Sequence, residues 1–212
     1  MINSNNLLIK ESPNIFIFMI LAGLYLFCSK KYNYFVVWLI ILSLLFYFYR
    51  FPKRDNKNGC TNCLYSVADG KIMSITYNNN FIRISCFLSP TDVHVQYAPT
   101  KTKLLGYKHK LGRFNLANTK KYFDNESMET LWQTKFGKIK IYQYAGFFVR
   151  RIILWNKIGD KLKTGEPFGI IKFGSRVDII LPKISTEGKY AKILVGKNDY
   201  VRAGIDRIVE YI

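Results

Sequence analysis

Histidine is scarce in this chain: His94 and His109 are the only two among 212 residues. Cysteine is scarce as well. Cys28, Cys60, Cys63 and Cys86 provide one C-x-x-C pair and no second. Structural zinc takes four ligands, usually from two such pairs, so a zinc module is excluded and no metal is expected. The C-x-x-C spacing also suits a redox or disulfide role, but nothing else in the sequence supports one, and Cys60-Thr61-Asn62-Cys63 reads as a loop that happens to hold two cysteines. Acidic residues number 14 against 32 lysines and arginines, a net charge of +18. That excess calls for an anionic partner, either lipid head groups or nucleic acid. No internal repeat occurs, and no low-complexity stretch beyond Asn78-Asn79-Asn80.

Long apolar runs are limited to two. Ile15–Cys28 and Tyr34–Tyr49 are uncharged and mostly apolar, separated by Ser29-Lys30-Lys31-Tyr32-Asn33. As helices they would be about 21 and 24 Å long, short for a hydrocarbon core of about 30 Å. A tight helical hairpin fits, spanning with Tyr and Lys anchors or dipping into one leaflet. No small-x-small cleavage site marks a signal peptide, and neither run carries the polar stripe of a helix on a soluble surface. The hairpin favours lipid over nucleic acid as the anionic partner. Arg50, Lys53, Arg54 and Lys57 follow the second run and Lys10 precedes the first, against Lys30 and Lys31 between them. Both ends of the hairpin, and whatever follows, are then expected on the cytoplasmic face of the membrane.

Three regions follow: a hairpin with a polar tail (1–49), a basic linker (50–63) in which Pro52 stops the second helix, and a domain over 64–212. There the pattern is β-like. Ile72–Thr76, Phe81–Leu88, Val93–Tyr97, Ile139–Tyr144, Phe147–Leu154, Ile170–Phe173, Val177–Leu181 and Ala191–Val195 are short β-branched or aromatic runs. Gly, Asn, Asp and Pro punctuate them at roughly ten-residue intervals, as in an antiparallel or mixed β domain. Phe114–Trp132 reads as a long loop with one helical turn near Met128–Trp132. The fold class is mainly β (α+β), with a compact β domain behind an N-terminal hydrophobic helical hairpin.

Gly174–Ser175 is the only Gly-Ser pair in the chain. A serine hydroxyl after a glycine carbonyl can attack backwards and shift the acyl group from nitrogen to oxygen, and glycine leaves that carbonyl open. Elimination and hydrolysis then leave a pyruvoyl group, a ketone that condenses with an amine and accepts electrons as pyridoxal phosphate does. A self-cleaving serine needs a base, and the base an orienting acid. His94, in Leu88-Ser89-Pro90-Thr91-Asp92-Val93-His94-Val95, and Asp69, in Ser66-Val67-Ala68-Asp69-Gly70-Lys71, have the right chemistry. Each also has a plain reading, as a half-buried strand residue and as a hairpin turn. Composition alone promotes neither.

Taken in order, the Ala-Asp-Gly-Lys turn, the Leu-Ser-Pro-x-Asp-Val-His-Val segment and the Gly-Ser segment resemble the phosphatidylserine decarboxylase family, most closely its short, membrane-anchored subfamily. His109-Lys110-Leu111-Gly112-Arg113-Phe114, Gln143-Tyr144-Ala145-Gly146, Arg150-Arg151-Ile152, Gly159-Asp160 and Gly165-Glu166-Pro167-Phe168-Gly169 extend the likeness from about Phe51 to the C-terminus. The resemblance implies a pyruvoyl-dependent carboxy-lyase that needs no metal and no pyridoxal phosphate. It would convert phosphatidylserine to phosphatidylethanolamine and CO2 after self-cleavage between Gly174 and Ser175. Ser175 would become the pyruvoyl residue and form the Schiff base with substrate. His94 would be the base, and Asp69 would hold its imidazole. The product would be a heterodimer of residues 1–174 and 175–212, with anionic phospholipid and membrane as partners and no nucleic acid. Arg150, Arg151 and Lys172 are candidates to hold the lipid phosphate, or else form a solvated or membrane-facing basic face.

Departures from the family pattern are Val67 before Ala-Asp-Gly, Tyr49-Arg50-Phe51-Pro52 at the junction, Ser127 after Asn125-Glu126, and Tyr97 where longer members carry a second histidine. They leave the proton donor open among His94, Tyr97 and His109. Two other readings remain: a decarboxylase of a related serine phospholipid such as archaetidylserine, and an uncleaved membrane-anchored lipid-binding or scaffold protein.

Overall fold

The computed structural model describes residues 10–54, 59–112, 124–146, 151–172 and 175–212. The chain forms two compact units, Met1–Lys53 and Arg54–Ile212.

In the first unit, helices α1 (Pro13–Cys28) and α2 (Tyr32–Phe48) follow the two apolar runs. Pro13 opens α1, where its missing N–H costs nothing. The turn closes through Lys30 at φ 55°. Trp38 Nε1 donates to the Met19 carbonyl at 3.0 Å and ties the helices together. Phe18, Leu21, Tyr34 and Leu44 are all more than half exposed, so the unit is apolar on its outside as well as at its seam. No helix among the described residues is long and apolar enough to cross a membrane.

The second unit is mainly β, and every pairing among its described strands is antiparallel. The largest sheet runs in the order β13 (Tyr200–Val201), β2 (Gly70–Tyr77), β3 (Phe81–Leu88), β11 (Ser175–Pro182), β7 (Gly137–Tyr144), β6 (Ser127–Thr134), β5 (Thr102–Lys110) and β9 (Lys161–Leu162). A second sheet places β10 (Pro167–Ile171) between β4 (Val95–Tyr97) and β8 (Ile152–Leu154). A third places β14 (Arg207–Tyr211) between β1 (Cys63–Tyr65) and β12 (Ala191–Ile193).

Strand β11 is central. It pairs with β3 from Ser175↔Leu88 to Pro182↔Phe81 and with β7 on its other side. Val177, Ile179 and Leu181 alternate into the core, each stabilising the fold by about 1.5–3 kcal/mol. Trp132 and Phe168, 5.2 Å apart between ring centroids, and the stacked pair Phe136–Tyr211 at 4.4 Å, fill the core elsewhere.

The structure corrects two sequence expectations here. Met128–Trp132 is not a helical turn but part of β6, whose burial alternates along its whole length. Met128 and Trp132 fit a four-residue helical spacing, yet Thr130 between them is buried too, which is the period of a strand. Cys60 and Cys63 are not an incidental pair; a disulfide joins them. Of the expected strand Phe147–Leu154, the described part is β8, and residues 147–150 lie outside the described residues. Residue 173, the end of the expected strand Ile170–Phe173, does so as well.

Candidate active site

Ser175 is the first residue of β11, paired with Leu88 of β3 and fully buried. Its Oγ has no hydrogen-bond partner among the described residues. An unsatisfied buried hydroxyl costs about 1–3 kcal/mol, so this is a position where packing alone does not explain a serine. Gly174, the other half of the cleavage pair, lies outside the described residues.

His94 immediately precedes β4 and is fully buried. Its main chain is bound on both sides: its carbonyl accepts from Ile171 N–H at 3.2 Å and from Gln96 Nε2 at 2.6 Å. Gln143 Nε2 in turn donates to Gln96 Oε1 at 2.8 Å. His94 is therefore laced to the end of β10, three residues before Gly174. Its Nδ1 lies 2.9 Å from the carbonyl oxygen of Asp92. A carbonyl only accepts, so the neutral ring carries its proton on Nδ1 and its basic lone pair on Nε2.

Asp69 lies in the turn between β1 and β2, also buried. It was expected to orient the His94 imidazole. Its Oδ2 accepts from Arg54 Nη2 at 2.7 Å and its Oδ1 from the Ala203 N–H at 2.7 Å, while the neutral His94 ring donates from Nδ1 to the Asp92 carbonyl. Burial pushes the Asp69 carboxyl above the usual carboxylate range; the Ala203 N–H and the Arg54 guanidinium pull against this, and the Asp92 carboxylate adds to it. The same guanidinium lies 5.5 Å over the ring of Tyr97, at the end of β4.

The proposed phosphate-holding residues separate. Lys172 is buried, which overturns the solvated or membrane-facing reading for it; its N–H donates to the Arg151 carbonyl at 3.1 Å. Arg151 is exposed and, with His109, Tyr107 and Glu126, lines a cavity of about 450 Å³. His109 Nε2 is 2.8 Å from Glu126 Oε1. Arg150 lies outside the described residues.

Sequence reasoning missed several members of this neighbourhood. Arg176 donates through Nε to Asp178 Oδ1 at 2.7 Å and through Nη2 to Ser85 Oγ at 2.8 Å, all three buried. Their i, i+2 spacing on a strand was the available signal. Asp92 sat within the quoted Leu-Ser-Pro-x-Asp-Val-His segment but drew no role. Arg54 and Tyr200 gave no local signal, since their partners Asp69 and Asp92 are 15 and 108 residues away.

Residues 41–208 match the phosphatidylserine decarboxylase family. The chain belongs to that family. It is 33% identical over 168 residues to a putative archaetidylserine decarboxylase proenzyme of Methanococcoides burtonii, covering 76% of this chain and 78% of that one. It is 35% identical over 187 residues to a phosphatidylserine decarboxylase proenzyme of Pelodictyon phaeoclathratiforme, covering 80% and 81%. It is 36% identical over 163 residues to a phosphatidylserine decarboxylase proenzyme of Thermobifida fusca, covering 76% and 71%. The chain is thus a decarboxylase, a carboxy-lyase of phospholipid biosynthesis, in a family whose members are named as proenzymes.

Proposed function

We propose that this decarboxylase cuts itself between Gly174 and Ser175 and then removes the serine carboxylate of phosphatidylserine, giving phosphatidylethanolamine and CO2. The observation that carries the reading is the buried Oγ of Ser175, at the head of a central strand and without a hydrogen-bond partner among the described residues. A hydroxyl held this way has no structural task and is available as a nucleophile.

In the maturation step, His94 takes the Ser175 hydroxyl proton at Nε2, and Oγ adds to the Gly174 carbonyl carbon. His94 passes that proton to the nitrogen of residue 175 as the C–N bond breaks, leaving an ester and a free amino group. Loss of the Cα proton of residue 175 expels the Gly174 carboxylate, and hydrolysis of the resulting enamine releases ammonia and leaves the pyruvoyl ketone. The residues present fit that group, because Ser175 is the donor of all its atoms but the new oxygen. Once made, the ketone supplies the sink for the electron pair that the departing carboxylate leaves behind.

The chain's own residues do the rest. The paired edges of β11 hold residue 175 in place after the cut, which fixes the reacting geometry. Burial keeps bulk water away. Arg151, exposed beside the cavity it lines with His109, holds the lipid phosphate, and His94, with Tyr97 or His109, returns a proton to the product. The apolar outer faces of α1 and α2 enter one leaflet, with the β unit on the cytoplasmic face.

Purified full-length protein in detergent, given phosphatidylserine labelled in the serine carboxyl, is expected to release labelled CO2. Ser175→Ala is expected to release none and to remain one chain. Turnover of archaetidylserine but not phosphatidylserine would move the assignment to the related lipid. Release by Ser175→Ala would overturn it.

A further inference from the structure

Tyr200 lies on β13, in the segment that becomes the small chain, yet its hydroxyl donates to Asp92 Oδ1 at 2.8 Å across 108 residues of sequence. The second carboxylate oxygen of Asp92 accepts from the Ser89 N–H at 2.7 Å, and Asp92 N–H donates to the Ser89 carbonyl at 2.9 Å. The residue is buried. Three hydrogen bonds therefore fix Asp92, and its own carbonyl oxygen is the acceptor for His94 Nδ1 at 2.9 Å.

We propose that Asp92 and Tyr200 are positioning residues for His94: the Tyr200 hydroxyl and the Ser89 N–H lock the Asp92 turn, and the locked carbonyl holds the imidazole as the Nδ1–H tautomer with Nε2 basic. This rests on the reading of His94 as the base. Two further contacts from the same segment support the arrangement. Asp199 accepts from Ile72 N–H at 2.9 Å and Ala203 N–H donates to Asp69 at 2.7 Å, so residues 199–203 seat on β2 and on the turn before it. The C-terminal segment thus has a task before the cut, setting the base, and keeps it afterwards as part of a separate chain.

Two histidines make the test direct. Full-length Ser175→Ala protein, which stays uncut, is labelled with [15N]histidine, and the two imidazoles are assigned by His109→Gln. The His94 signal is expected to show a protonated Nδ1 and an unprotonated Nε2. In Ser175→Ala/Tyr200→Phe, which keeps the ring and loses only the hydroxyl, the signal is expected to become a mixture of tautomers. On the otherwise native chain, Tyr200→Phe is expected to slow self-cleavage about tenfold, the size of one hydrogen bond to a charged acceptor. Asp92→Ala is expected to slow it at least as much, and the double variant no more than Asp92→Ala alone.

An Nε2–H tautomer in the uncut protein, a tautomer unchanged by Tyr200→Phe, or additive effects of the two substitutions would each overturn the proposal. The spectra do not depend on cleavage. If the native chain never cuts itself, the proposed maturation fails while the tautomer result still decides this point.

Discussion

The Arg54 guanidinium donates to the Asp69 carboxylate at 2.7 Å, and both side chains are more than nine-tenths buried. A pair this dry is weak as net stabilisation but costly to break, because the survivor keeps an uncompensated charge. Arg54→Met or Asp69→Asn is expected to lower unfolding free energy by about 3–5 kcal/mol. Arg54→Met combined with Asp69→Asn, which keeps an acceptor for Ala203 N–H, is expected to recover most of that loss. Urea unfolding of the four proteins checks the cycle.

The same acid makes a pH prediction. Burial raises the Asp69 carboxyl in the folded protein, so the folded state binds this proton more tightly than the unfolded chain. The stability it contributes is full below the ordinary aspartate value of about 3.9 and is lost as pH rises through the raised value. Unfolding free energy measured across that window is expected to carry a falling component that Asp69→Asn lacks. A wild-type component that rises instead would contradict the assignment.

Gly70 follows Asp69 at φ 148°, and a Cβ there would meet the Phe87 carbonyl oxygen on β3. Gly70→Ala is expected to cost more than about 2 kcal/mol from backbone strain alone and to hinder self-cleavage by shifting Asp69. A thermal melt and a denaturing gel test the two parts separately.

The Cys60–Cys63 disulfide closes a very short loop. Its removal in Cys60→Ser/Cys63→Ser is expected to cost about 2 kcal/mol and to leave self-cleavage intact, since the bond lies outside the Ser175–His94 neighbourhood described above. Loss of cleavage in that variant would assign it a further role.

How much of this could be read from the residues differs from place to place. Phe81–Leu88 and Val177–Leu181 declared themselves as strands because their β-branched runs are long and bounded. Thr102–Lys110 did not, because one end faces solvent and its lysines and glycine break the apolar pattern. Met128–Trp132 was ambiguous because its two large side chains fit either period. At the site, Ser175 and His94 are singled out by chemistry and motif order, while their full burial has no signal in the local sequence. Asp69 was legible as a candidate acid, but its bonds to the Arg54 guanidinium and to the Ala203 backbone N–H were not, since no local pattern announces a contact across 134 residues. Lys172 reads equally as a phosphate contact or a surface charge in the sequence; it is buried directly after β10, with its backbone N–H bonded to the Arg151 carbonyl.

The account turns on one covalent event, and the intact mass of the purified native chain reads it directly. Two species are predicted, one ending at Gly174 and one starting at residue 175 with a ketone in place of its amine. A single species with the mass of the full 212-residue chain, in a preparation that still decarboxylates lipid, would contradict it.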